Sequence, residues 1–165
     1  MAQTASIAAT KVVEFLKSTD AGLSAVLGAI SQTTGTALPM IRPTSIIQQN
    51  APMAVMERAL AVKYPAVHIY SDRVQNLLTE KFRTFSGKIR TVAEVRVSQD
   101  RIEGLEDQVR LYVDAVTQIL DANRGSWGQG MFFAGGYEVK FEQIEHGGRN
   151  FIQVAKVTFE VDLSS

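Results

Sequence analysis

The last quarter of the chain, from Gly136 to Asp162, has the residue pattern of a long β-hairpin. In the return strand the odd-numbered residues from Phe151 to Val161 are apolar except for Gln153, and the apolar residues at the start of the outgoing strand are also odd-numbered. Because successive side chains of a strand point to opposite faces, the odd residues of each strand line one face. The pattern therefore predicts a sheet whose core face carries the odd residues of both strands.

A shared core face restricts the turn, because paired residue numbers must then sum to an even number. That condition excludes a two-residue turn made of the two adjacent glycines and predicts a three-residue loop at 146–148, with Gly148 in the left-handed conformation. Among the remaining registers we favour the one that sets Glu138 opposite Lys156. A shift by two residues would place Lys140 opposite Lys156, and like charges in direct opposition are unfavourable.

The second face of this hairpin is charged over most of its length but apolar near the turn, where it carries Ile144, Ile152 and Val154. A loop or the N-terminal helices of the same subunit could cover this group. Exposed apolar patches also mark interfaces, so a neighbouring subunit is the second candidate. Both alternatives stay open at the level of the sequence.

Bulk composition excludes several classes of protein. The chain has 165 residues, is 45% hydrophobic and 21% charged, and contains no cysteine, so disulfides and thiolate metal sites are excluded. Lys plus Arg and Asp plus Glu number 17 each, which argues against a dedicated nucleic-acid binder but permits a passage for nucleic acid. With no secretory signal pattern and no apolar run of membrane-spanning length, we expect a soluble protein made in the cytoplasm.

The N-terminal part, residues 1–52, is predicted to form two short amphipathic helices followed by an extended arm. Asp20 is the expected N-cap of the second helix. The arm begins at Thr33 and is long for a loop in a compact domain. Its apolar residues predict that it lies against another surface, and they are interface candidates: Leu38, Met40, Ile41, Ile46 and Ile47.

Residues 53–165 are predicted to form an α/β core, compact with the N-terminal part as one domain. We expect a helix over 53–64, a strand over 66–70, helical spacing or a strand over 74–85, and a strand over 89–97. The strongest helix pattern covers about 102–123, with capping-box spacing at Asp100 and Glu103. The predicted fold class is α+β: a mostly antiparallel four-stranded sheet, with this long helix on one face and additional N-terminal helices.

Two further groups complete the interface candidates. The Gly-rich connection at 126–136 carries Trp127, Phe132 and Phe133, which would either fill a small core under a loop or anchor a partner. The 89–97 strand carries a mixed-charge second face with Arg90, Glu94 and Arg96.

No catalytic or ligand-binding motif stands out. The two histidines, His68 and His146, have no second ligand at metal-binding spacing, and the glycine pairs do not match a phosphate loop. Two carboxylate pairs, Glu142 with Glu145 and Glu94 with Glu138, are more simply interpreted as solvent-facing or cross-strand residues than as an acid/base pair. We therefore predict a protein that is not an enzyme and has no catalytic, metal-binding or cofactor-binding residue.

The order of these elements, with the segments YPAVHIY, FSGKIRTVAEVRVSQDR, YVDAVTQIL and GGYEVKFEQIEHGGRNFIQVAKVTFEVD, resembles tail-terminator and neck proteins of long-tailed bacteriophages, especially contractile-tailed ones. The resemblance covers roughly residues 60–162. It implies a virion subunit, assembled in the host cytoplasm, that forms a six-membered ring on the tail tube and stops its polymerisation. The implied partners are further copies of the chain, the tail tube protein, the sheath protein as an additional candidate, and the head-side connector. DNA would only pass through the ring, and no membrane is involved.

Two other functions remain as alternatives. The chain could be another neck or head-tail connector component, or a monomeric protein-binding module that uses a sheet edge or the aromatic loop. A hydrolase or transferase with a carboxylate site is a third and weaker hypothesis. Self-association separates the ring subunit from the monomeric module.

Overall fold

The computed structural model describes residues 2–52 and 63–165, so most of the helix predicted over 53–64 lies outside the described residues. The helices are α1 (Ala2–Lys17), α2 (Leu23–Thr34) and α3 (Leu105–Ala122), and a 3₁₀ turn spans Pro43–Ser45. The strands are β1 (Ile46–Ile47), β2 (Ala66–Asn76), β3 (Ser86–Gln99), β4 (Gly125–Gly128), β5 (Met131–Phe133), β6 (Tyr137–Phe141), β7 (Glu145–Gly147) and β8 (Asn150–Ser164).

Within the described residues, the strands form one sheet of eight, in the order β1-β2-β3-β8-β5-β4, with β6 and β7 also paired to β8. The β1–β2 pair is parallel and the other pairs are antiparallel. The α+β class is confirmed, but the prediction of four strands is wrong. Turns divide the outgoing chain beside β8 into β5, β6 and β7, and β1 and β4 add short strands that are too brief for a periodic pattern.

The core face is the one predicted from residue parity. β3 and β8 pair along their whole length, from Ser86↔Ser164 to Gln99↔Phe151. Buried apolar side chains occupy the odd positions of both strands: Ile89, Ala93, Val95, Val97, Ala155, Val157, Phe159 and Val161. The helices and the arm contribute to the same hydrophobic core, so the odd face of the sheet is the centre of the subunit.

The predicted hairpin register and turn are wrong. Lys140 lies opposite Lys156, and the turn consists of Gly148 and Arg149, between the paired residues Gly147 and Asn150. The outgoing strand contains one extra residue between Phe141↔Ala155 and Glu145↔Ile152, and this β-bulge changes the parity of the pairing near the turn. Gly148 does adopt the predicted left-handed conformation, with φ of 73°.

The bulge also explains why Gln153 interrupts an apolar series. Its side chain is buried on the core face, and its Nε2 donates to the carbonyl of Glu142 at 3.1 Å. The backbone N–H of Glu142 in turn donates to the carbonyl of Val154 at 2.9 Å. Gln153 thus satisfies a backbone group that the irregular segment leaves without a regular ladder partner.

Helix α3 packs its apolar stripe on the core face, and its buried residues include Leu105, Val109, Tyr112, Val116 and Ile119. The predicted capping box at Asp100 and Glu103 is wrong. The N-cap is Gly104, and the side chain of Gln99 donates to the carbonyls of Arg101 and Glu103 at 2.7 and 2.9 Å, which keeps the preceding residues out of the helix. The predicted end at Asn123 is confirmed, because Asn123 is the C-cap.

The predicted N-cap of α2 at Asp20 is wrong, because the N-cap is Gly22. Of the two alternatives for 74–85, the strand holds as far as Asn76, and an irregular loop rather than a helix follows. The Asn76 side chain fixes that loop: Oδ1 accepts from the N–H groups of Leu78 and Ser86 at 3.3 and 3.1 Å, and Nδ2 donates to Thr84 O at 3.1 Å. Side chain–backbone bonds of this kind compete with helix formation.

Candidate subunit interface

The second face of the sheet, which carries the even residues of β3 and β8, holds a buried polar cluster. Its members are Glu94 and Arg96 on β3 and His68 and Tyr70 on β2. Glu94 is 6% exposed, Arg96 3% and His68 0%. A face that buries charged residues to this extent is covered, so it differs from the open polar face that the alternating pattern predicts.

The ion pair between Glu94 and Arg96 is the centre of this cluster. Arg96 Nε donates to Glu94 Oε2 at 2.6 Å, and Arg96 Nη2 donates to the carbonyl of Ala51 in the arm at 2.6 Å. The other carboxylate oxygen of Glu94 accepts from the Tyr70 hydroxyl at 3.3 Å and lies 3.6 Å from Lys156 Nζ. Glu94 is therefore shared by three partners, and Arg96 attaches the arm to the second face of the sheet.

Burial and neighbouring charges shift the pKa values of two residues in the cluster. Burial, together with the positive charge of Arg96, lowers the pKa of His68 from 6.5 to about 4. Burial raises the pKa of Tyr70 to about 12, with a further contribution from the negative charge of Glu94. At neutral pH His68 is uncharged and Tyr70 is a hydrogen-bond donor, so the charged members of the cluster are Glu94 and Arg96, with Lys156 beside them.

A cavity of about 520 Å³ lies next to the ion pair. It brings together four of the predicted interface residues, Glu94, Arg96, Ile152 and Val154, with the arm segment 50–52. Within the described residues, Arg96 Nη1 is buried without a hydrogen-bond partner. The described residues contain no group of His, Asp and Glu side chains that could hold a metal ion.

The three apolar residues predicted on the second face of the hairpin do not form one group. The bulge turns Ile144 towards the core face, where it packs against the hydrophobic core, so its predicted position is wrong. Ile152 stays on the second face but is only 6% exposed within the subunit, and Val154 is half-buried. The subunit's own chain therefore covers much of this patch, and a contact of the remainder with another subunit stays a prediction.

The arm packs mainly on its own subunit. Leu38, Ile41 and Ile46 are buried in the core, and the Tyr112 hydroxyl of α3 donates to the carbonyl of Pro39. Burial raises the pKa of Tyr112 to about 12. Of the other arm candidates, Met40 is 46% exposed and Ile47 is half-buried. Met40 is therefore the most exposed of the five arm candidates.

The aromatic candidates also include both buried and exposed residues. Trp127 and Phe133 are buried, and they form a cluster with Phe15 and Phe159 in which ring centroids lie 5.2 to 6.3 Å apart. Phe132, between them in the sequence, is 51% exposed. Since alternate residues of β5 face opposite sides, this strand supplies both a core residue and a surface residue.

Arg90 lies on the half of the second face that is open and charged. Its Nε and Nη2 donate to the two carboxylate oxygens of Asp72 at 2.7 and 2.8 Å, and these hydrogen bonds raise the pKa of Arg90. Nearby, Glu160 pairs with Arg73 at 3.1 Å and with Lys88 at 3.2 Å. Charges of both signs alternate on this surface, so it offers no single-sign field for a highly charged partner.

The sequence patterns did not predict two exposed apolar regions of the surface. The loop after β2 exposes Leu77, Leu78 and Phe82, with Phe82 fully exposed and at φ of 64°. Their helical spacing concealed them, because it assigned them to the core face of a helix. The second feature is the outer edge of β6, where Tyr137 and Phe141 are 39% and 41% exposed on the core face of the sheet.

Comparisons with known proteins establish the fold. No protein-family model matches the chain, and no curated protein sequence matches it. The chain shares its overall fold with a chain in the solved structure of the virion of a native gene transfer agent (GTA) particle. The similarity has a TM-score of 0.51 at 11% sequence identity, and it covers 95% of this chain and 94% of that chain.

In the described part of the chain, none of the helices has both the length and the apolar character needed to span a membrane.

Proposed function

We propose that the chain is a structural subunit of a phage-like virion. The observation that carries this proposal is the fold similarity to a virion chain, which extends over nearly the whole length of both proteins. Similarity over a whole subunit supports a shared structural role better than similarity of one motif would. We also propose that the protein is not an enzyme, since Glu94 and Arg96, the most buried charged residues in the described part of the chain, are engaged with each other and with the arm.

Within the virion, we propose that the subunit forms a ring that caps the tail tube, stops its polymerisation and joins the tail to the head-side neck. The partners would be other copies of the chain, the tail tube protein, the sheath protein and the connector, with DNA passing through the ring. The exposed apolar residues Met40, Phe82 and Phe132 support this role, because they lie on separate segments and could serve several contacts. Assembly would take place in the host cytoplasm and the final location would be the tail or neck.

Tube growth in vitro tests the terminator role. A tail tube protein isolated from the same particle would be polymerised with and without the purified chain, and tube lengths would be measured by electron microscopy. We expect added chain to shorten the tubes and to be visible as an extra ring at one tube end. Tubes of unchanged length that carry no such ring would contradict the terminator role.

A different neck or connector component is the second candidate. It would form a ring without limiting tube length, so the same experiment separates the two functions. A monomeric binding module is less well supported, because Trp127 and Phe133 of the aromatic loop are buried in the core and are not available to a ligand.

A further inference from the structure

Two strands on opposite sides of the central β3–β8 pair, β2 and β6, have open edges. β1 pairs with β2 only at Val67 and His68, so β2 from Ile69 to Asn76 has no strand on its outer side among the described residues. β6 pairs with β8 on one side, and no described strand pairs with its other side. Open edges are templates for pairing with another chain unless they are protected.

The directions of the strands make these edges compatible. β2, β3, β8 and β6 are neighbours in that order, and each pair is antiparallel. β6 therefore runs opposite to β2. A second copy placed beside the first in the same orientation would set its β2 antiparallel to β6, and the sheet would continue across the boundary.

The hydrogen bonds within the subunit show which backbone groups of β6 and β2 point outward from the sheet. The N–H of Glu142 donates to Val154 of β8, so in the preceding regular strand the N–H groups of the even residues face β8 and those of the odd residues face outward. On β2, the N–H of Leu77 donates to Ser86 of β3, which by the same alternation directs the N–H of Val74 outward. Both edges thus present backbone donors and acceptors in the spacing of an antiparallel ladder.

The side chains of β6 and β2 are also compatible, because each strand has an apolar side chain on the core face and polar side chains on the other face. Tyr137 and Phe141 of β6 lie on the core face and are 39% and 41% exposed, which leaves apolar surface at this edge. Val74, opposite Ile89 of β3, is the half-buried apolar residue on the same face of β2. On the other face, β6 carries Glu138 and Lys140, and the facing positions of β2 are polar as well. Edge-to-edge pairing would therefore cover apolar surface on one face and keep the other polar.

We propose that β6 of one copy pairs with β2 of the next copy, so that the sheets of adjacent subunits join. The contact is head-to-tail, because it uses two different edges, and a head-to-tail contact forms a ring when its rotation closes. The inference rests on the proposed function and adds the surface by which the subunits associate. It commits to a second copy of this chain as the occupant of both edges.

Engineered disulfides test the pairing directly, since the chain contains no cysteine. Double variants would combine Glu138→Cys or Lys140→Cys with Arg73→Cys or Gln75→Cys, which covers the adjacent registers on the polar face. We expect oxidation of at least one combination to give a ladder of covalent multimers on a non-reducing gel. The control combines Glu138→Cys with Asp107→Cys on the exposed side of α3 and should give no ladder.

Backbone substitution provides the second test. Phe141→Pro removes an outward-facing N–H and leaves the bonds from β6 to β8 intact, which an edge strand tolerates. Phe141→Ala removes the side chain but retains that N–H. If the backbone pairs, native mass spectrometry will show loss of the oligomer for Phe141→Pro at a concentration where Phe141→Ala retains it. Circular dichroism checks that both variants fold, and Tyr137→Pro replaces Phe141→Pro if that variant does not.

The outcomes separate this inference from the proposed function. A ring that forms without cross-links in any combination, and that tolerates the proline variants, overturns the edge pairing and leaves the ring subunit in place. A chain that stays monomeric and gives no ladder overturns the edge pairing and removes support for the ring as well. Cross-linked multimers together with loss of the ring on proline substitution would support both.

Discussion

Glu94 and Arg96 lie two residues apart on β3 and form a buried ion pair on the second face of the sheet, with Arg96 Nε 2.6 Å from Glu94 Oε2. Because Arg96 also binds the carbonyl of Ala51, this pair connects the arm to the sheet. A buried charge is stable only while its partners are present. The pair therefore makes the position of the arm depend on one acidic and one basic residue.

Substitution of one member of the pair should destabilise the subunit. We expect Glu94→Gln to reduce the free energy of unfolding by about 3–5 kcal/mol, because it leaves the Arg96 guanidinium buried without an anionic partner. Arg96→Met should cost less, since Glu94 retains Tyr70 and Lys156 as partners. Urea denaturation measures both. Equal or smaller losses for Glu94→Gln than for Arg96→Met would contradict the assignment of partners.

The buried His68 should make stability depend on pH. Its pKa is about 4 in the folded protein and 6.5 when unperturbed, so between these values the unfolded chain binds more protons. Stability from this residue is complete above pH 6.5 and is lost as the pH falls towards 4. Between pH 7 and pH 5 the loss should be at most about 2 kcal/mol.

Substitution identifies His68 as the source of that pH dependence. His68→Gln should flatten the dependence of the unfolding free energy on pH between 5 and 7. His146→Gln is the matched control, because it removes the other histidine of the chain at an exposed position and should retain the slope. An equal slope in the wild type and in His68→Gln would show that another group is responsible.

Neighbouring phenylalanines of β5 should respond very differently to truncation. Phe133 is fully buried against Trp127 and Phe159, so Phe133→Ala should lower the free energy of unfolding by about 3–5 kcal/mol. Phe132 is 51% exposed, and Phe132→Ala should change it by about 0.5 kcal/mol or less. Thermal or chemical denaturation measures the unfolding free energy of both variants. Similar losses for the two would contradict the assignment of Phe133 to the core side of β5 and Phe132 to its exposed side.

Close contact between β2 and β3 should make Gly87 sensitive to substitution. A Cβ at this position would collide with the backbone carbonyl of Gln75, so Gly87→Ala should cost about 1–3 kcal/mol. A Cβ at Gly28 of α2 would meet nothing within 4 Å. Gly28→Ala should therefore stabilise the subunit by about 0.5–1 kcal/mol, as expected for a helix interior. A neutral Gly87→Ala would show that the strands separate easily at this point.

Long periodic segments were predictable, because their side chains report directly on the core. The odd residues of β8 and the stripe of α3 identify the same buried face that the structure shows. The register of β6 was not predictable from charge. Lys140 and Lys156 are opposite each other because Glu142 and Glu94 lie within 4.0 Å of Lys156, and Glu142 lies 3.5 Å from Lys140. Pairwise charge rules omit such neighbours on the same face.

The candidate interface was harder to predict, for two physical reasons. Apolar residues in a loop or arm pack on their own subunit when the geometry allows, as Ile41 and Trp127 do, and sequence does not report that geometry. One added residue in a strand changes the face of every residue after it, which is why Ile144 lies on the core side. The position of β6 at an edge of the sheet is likewise visible only when its pairing partners are known.

Native mass spectrometry of the purified full chain over a range of concentrations tests whether the subunits associate into a closed ring. We expect a dominant species of one defined size, about six copies, whose population increases with concentration or on addition of tail tubes. A chain that remains strictly monomeric at every concentration, with and without tubes, would contradict it.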